Sequence, residues 1–145
     1  MNGKMQRAWF NVAAVVVGSF GPVFFLGAAG LTWPSALTLD LLSWPVDGNM
    51  DYNAPTTRFL SAVTGGFLLG WGVTIWLIGR NFYHVAPEAA RKTVVFGLYA
   101  WFLLDSAGSI ASGNPSNALF NILVLAIAVG PLWTRAQPSQ FVEPG

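Results

Sequence analysis

Four apolar runs of membrane-spanning length, Ala8–Leu31, Phe59–Gly79, Thr93–Gly113 and Asn117–Thr134, leave this chain few ways to fold. The first holds 24 residues and the second 21 without a charged side chain. At about 1.5 Å of rise per residue, either crosses a hydrocarbon core of roughly 30 Å. Lipid offers no partners to backbone N–H and C=O groups, so a spanning segment must satisfy them within a helix or a closed barrel. The runs lack the period-two alternation of barrel strands, which leaves helices. Only 9% of the 145 residues are charged and 54% are hydrophobic, too little charge to clothe a water-soluble domain. The expected fold is an all-α integral membrane four-helix bundle. It forms one domain over 1–135, followed by a disordered cytoplasmic tail over 136–145 that carries Pro138 and Pro144.

Basic residues set the orientation. Lys4 and Arg7 precede the first run, Arg80, Arg91 and Lys92 lie between the second and third, and Arg135 follows the fourth. The loop from Thr32 to Thr57 holds Asp40, Asp47 and Asp51 but no Lys or Arg. Both termini are therefore expected inside, in the cytoplasm. Lys4, Arg7 and the small residues Gly27, Ala28 and Ala29 also suit a cleaved secretory signal, but the apolar stretch exceeds the usual 7–15 residues of one. Without cysteine, disulfides and thiol-ligated metals are excluded. A net charge of +1 offers no nucleic-acid surface.

Within the outer loop, Trp33-Pro34-Ser35 is a helix start, and leucines surrounding Asp40 predict a short interfacial helix over 35–44. Pro22 has no amide hydrogen for the Gly18 carbonyl, so a kink is expected in the first span. Ala54-Pro55 is read as keeping helix out of the return to the second span. In that span Ser61, Gly65 and Gly72 share one stripe, and Gly66 and Gly70 form a second small-residue pair. Such seams let helix backbones approach closely, here within one chain or in a homodimer.

Two charges break the apolar pattern. Asp105 lies in the outer half of the third helix, on a face shared with Trp101, Gly108, Ser109 and Ser112. Arg58 stands at the outer start of the second span, opposing its helix dipole. A charge within lipid costs at least a few kcal/mol unless paired or hydrated. The expectation is an outer polar cluster in which Arg58 pairs with Asp105, flanked by Ser109, Asn117 and Asn121, with Asp40 above. It could fix the register of the helices or form a ligand pocket. His84, the single histidine, is expected at the surface between the second and third spans, and no metal or cofactor set is present.

No nucleophile–base pair, phosphate loop or metal motif points to an enzyme. The expected function is a non-enzymatic accessory subunit of a larger membrane complex, or a bundle that binds lipid or an apolar ligand. Phe24, Phe25, Trp71, Trp76, Phe96, Trp101 and Phe102 supply its flat apolar surface. The alternative is a small proton- or ion-linked carrier, acting as a dimer through Asp105 and Arg58. Arg58 with Gly65-Gly66, and the run Leu104-Asp105-Ser106-Ala107-Gly108-Ser109 leading to Gly113-Asn114-Pro115, resemble the uncharacterised small four-helix inner-membrane proteins of bacteria. The resemblance implies the fold and its location and carries no activity.

Overall fold

A computed structural model of the chain describes residues 3–136; the remainder of the expected tail, 137–145, lies outside the described residues. Its helices are α1 (Gly3–Gly18), α2 (Phe20–Ala28), α3 (Trp33–Leu42), α4 (Pro55–Asn81), α5 (Pro87–Ala111) and α6 (Pro115–Val129), and a 3-10 turn, Gly130–Trp133, follows α6. Among the described residues four spans are long and apolar enough to cross a membrane: α1 with α2, α4, α5, and α6 with its 3-10 extension. The molecule is thus an all-α bundle with the makeup of a multi-pass membrane protein. Its outer surface agrees: Phe67 is 75% exposed and Leu104 79%, apolar area that water would penalise and lipid accepts.

Proline places the helix starts. Pro34, Pro55, Pro87 and Pro115 each stand in the first turn of their helix, where a missing N–H costs nothing. This corrects one expectation, since α4 begins at Pro55 itself. Pro55 holds Ala54 extended (ψ 129°), so the helix starts immediately after it. The first span breaks at Ser19, between α1 and α2, one turn before Pro22 as the missing amide predicts. The short loop helix begins two residues earlier than expected and ends at Leu42.

Both described ends lie at one end of the bundle, together with six of the seven basic residues, and α3 lies at the other. α4 packs along the whole of α1 and α2, and α5 packs along α6. α1 against α6 joins these halves, while α4 and α5 barely meet. The core at the junction is Phe10, Ala13, Val17, Ile75, Leu98, Ala128 and Leu132. The α1–α2/α4 seam is made of glycine. A Cβ on Gly72 would lie 2.7 Å from the Gly18 Cα, and one on Gly21 2.9 Å from the Gly65 carbonyl oxygen. The Ser61, Gly65, Gly72 stripe is therefore an internal contact, whereas nothing lies within 4 Å of where Gly66 or Gly70 would carry a side chain.

At the terminal end the backbone breaks of α6 are met by side chains. Pro131 cannot donate to the Ile127 carbonyl, and the Trp9 indole N–H does so instead at 2.9 Å. Gly130 (φ 34°) leaves the space that this indole fills. Tyr83 is buried at this end, its ring against Phe10 and its hydroxyl donating to Gln6 Oε1 at 2.9 Å. Trp133, Trp33 and Trp44 are exposed at the two ends, as an aromatic belt requires.

Candidate functional site

The hairpin of α5 and α6 builds the site. α5 closes in a Schellman motif: Gly113 (φ 82°) turns the chain, its N–H reaching the Ile110 carbonyl while Asn114 N–H reaches that of Ser109. The reversal sets Asp105 opposite Asn121 and Ser109 opposite Asn117. Asn121 Nδ2 donates to Asp105 Oδ2 at 2.6 Å and to Ser106 Oγ at 3.2 Å. Asn117 Nδ2 donates to the same Asp105 oxygen at 3.1 Å and to Ser109 Oγ at 2.7 Å. Ser109 Oγ in turn donates to the Asp105 backbone carbonyl at 2.7 Å. Every hydrogen of both amides is used, and the carboxylate is held against α6 by one of its two oxygens.

Arg58 and Asp40 are not part of this cluster, contrary to expectation. Arg58 Nη2 donates to the Ala28 carbonyl at 2.7 Å. α2 ends in its own Schellman motif at Gly30 (φ 110°), in which Leu31 N–H bonds the Leu26 carbonyl and Gly30 N–H that of Gly27. That motif leaves the Ala28 carbonyl open, and a guanidinium suits the negative end of the α2 dipole. The reason for the miss is packing: α4 lies on α2 and barely meets α5. Asp40 is buried and accepts the backbone N–H groups of Asp47 (3.3 Å) and Gly48 (3.0 Å), so it folds the loop that follows α3. The loop is then clamped over α6: Ser116 Oγ accepts Trp44 N–H at 3.1 Å and donates to the Leu42 carbonyl at 2.6 Å, and Ser43 Oγ donates to Asn114 Oδ1.

Because α4 and α5 barely meet, a partly open cavity of about 170 Å³ remains between the two halves of the bundle. Val17, Phe20 and Phe24 form its wall on the first span, Thr64, Leu68 and Trp71 that on α4, and Phe120 and Val124 that on α6. Leu42 of α3 also lines it, and Trp101, Asp105, Asn117 and Asn121 complete it. Two edge-to-face aromatic pairs frame it, Trp71 with Trp101 (6.2 Å between centroids) and Phe20 with Phe120 (6.3 Å). Asp105 and Trp101 also line an open groove with Leu104, Gly108, Ser109 and Ser112, the small-residue face foreseen on the third helix. The polar cluster thus stands between this largely apolar, partly open cavity and an open groove.

Of the aromatic residues singled out from the sequence, Phe24, Trp71 and Trp101 line the cavity, whereas Phe25, Trp76 and Phe96 are exposed on the outside. The walls at Phe20 and Phe120 went unforeseen, although Phe20 with Phe24, and Asn117 with Phe120, Asn121 and Val124, repeat at helical spacing. A second polar cluster at the terminal end also went unforeseen. Arg91, 8% exposed, grips Glu88 with two nitrogens (2.6 and 2.8 Å) and donates to the Leu132 carbonyl at 2.8 Å. Gln6 donates to the carbonyls of Pro131 (3.2 Å) and Thr134 (2.8 Å). Burial, and then the charge of Glu88, push the Tyr83 hydroxyl above the ordinary tyrosine range. These bonds tie α1, α5 and the end of α6 together. His84 is exposed there.

Comparison with protein-family models, with curated proteins and with solved structures gave no match.

Proposed function

We propose that this chain is a non-enzymatic integral membrane protein that binds a small apolar or amphiphilic ligand between its helices. On the basic-residue pattern and the resemblance noted above, it resides in the bacterial inner membrane with both termini in the cytoplasm. The observation that carries the reading is the cavity between the two halves of the bundle, apolar on most sides and polar at one corner. Ligand sites are typically of this kind, a mainly apolar concavity with a few converging polar groups that fix orientation. Arg58 donates to the Ala28 carbonyl and is not paired with Asp105, which favours ligand binding over the carrier alternative that joined the two.

Native mass spectrometry of the protein extracted from its own membrane in mild detergent tests the reading. The wild type should retain a bound small mass that Val124→Phe, which puts a ring into the cavity, releases. Recovery only as a stoichiometric complex with a larger protein, with no small mass on either form, would refute ligand binding and support an accessory subunit.

A further inference from the structure

The polar corner of the cavity has a sign. Among the described residues, Asp105 is the only ionisable side chain lining it. Among the described residues the ion pairs are those of Glu88 with Arg91 and Lys92, and none involves Asp105. Asn117 and Asn121 both turn their N–H₂ groups to Asp105 Oδ2 and to serine hydroxyls. The opposite amide orientation would set a carbonyl oxygen against the carboxylate. All four amide hydrogens are therefore occupied, while Asp105 Oδ1 accepts no hydrogen bond among the described residues. Such a corner has acceptors and a negative charge to offer and no free N–H for an anion.

The walls fit the same partner. Trp101 lies one helical turn from Asp105 on α5 and meets Trp71 edge to face, and indole rings are the best aromatic surface for a cation. The cavity of about 170 Å³, though partly open, has a volume like that of engineered apolar cavities that accept a single benzene ring. The groove from Asp105 past Gly108 and Ser109 to Ser112 gives a path between the corner and the outside. We propose, resting on the ligand-binding reading above, that the ligand is an organic monocation. It would carry an apolar group of about one ring in the cavity and its positive charge at Asp105.

Three probes of similar shape decide the matter: benzyltrimethylammonium, its neutral isostere neopentylbenzene, and phenylacetate. Each is titrated into the micelle-bound full chain, with the micellar concentration of probe measured, while the indole N–H signals of Trp71 and Trp101 are followed by two-dimensional NMR. Benzyltrimethylammonium should shift both signals with an affinity at least tenfold above neopentylbenzene, and phenylacetate should leave them in place. In Asp105→Asn, whose amide oxygen still accepts from Asn117 and Asn121, the cation and the isostere should bind within twofold of each other. Equal affinities for the two in the wild type would overturn the cation proposal and leave the apolar pocket standing, as would tighter binding of phenylacetate. If none of the three moves either indole signal, the ligand-binding reading fails and the cation proposal with it. The wild-type comparison decides even where Asp105→Asn does not fold.

Discussion

Replacing Gly72 by alanine should weaken the bundle, whereas the same change at Gly70 should not. A Cβ on Gly72 would stand 2.7 Å from the Gly18 Cα, 2.8 Å from the Ala14 carbonyl oxygen and 2.9 Å from the Gly18 nitrogen. All three are backbone atoms of α1, so no rotamer change relieves the clash and the two helices must separate. Overpacking of this kind costs typically about 1–3 kcal/mol. Alanine is also the better helix former by about 0.5–1 kcal/mol, a gain that applies at both positions and so cancels between them. Gly70 has nothing within 4 Å of its would-be Cβ and serves as the control. The expected gap between the two variants is therefore about 1–3 kcal/mol, with Gly72→Ala the less stable. Reversible unfolding in mixed micelles of rising denaturing-detergent fraction, followed by circular dichroism, measures it. Equal midpoints for Gly72→Ala and Gly70→Ala would show that α1 and α4 do not meet backbone to backbone, and the seam would be wrong.

Other consequences are open to the same unfolding assay. Arg58→Gln removes a charged donor from the end of α2 and should cost about 1–2 kcal/mol, while leaving probe binding at Asp105 unchanged. Arg91→Met strips three hydrogen bonds from Glu88 and the Leu132 carbonyl and should cost about 2–3 kcal/mol; a loss below about 0.5 kcal/mol would mean that this cluster does not hold the end of the bundle. Because its folded-state value is raised, Tyr83 contributes stability that is whole below its unfolded value of about 10 and fades as pH rises through the folded one. Tyr83→Phe should accordingly be less stable at neutral pH and show a flatter decline above about pH 10.

Where the sequence could be read and where it could not follows from chain distance. Hydrophobic run length marks the spans, because lipid leaves the backbone no partner outside a helix. Proline marks the starts of α3 to α6, because only the first turn tolerates its missing N–H. The contacts of Asp105 were legible for the same local reason. Asp105 and Asn121 stand eight residues to either side of Gly113, and Ser109 and Asn117 four, so a tight hairpin brings equal depths together. Arg58 and Asp105 also match in depth, but their helices are joined at the far end of the bundle. Nothing local says whether the ends away from that joint converge. Glycine on α1, α2 and α4 draws α4 to the first span, which takes Arg58 to the Ala28 carbonyl and opens the space behind Trp71 and Trp101. The sequence by itself therefore determined the four spans and the α5–α6 contacts of Asp105, products of local geometry in lipid, although α4 starts earlier than its apolar run, at Pro55. Only tertiary packing decided that Asp105 has no cation beside it among the described residues and lines a cavity, because that depends on which of several apolar faces α4 covers.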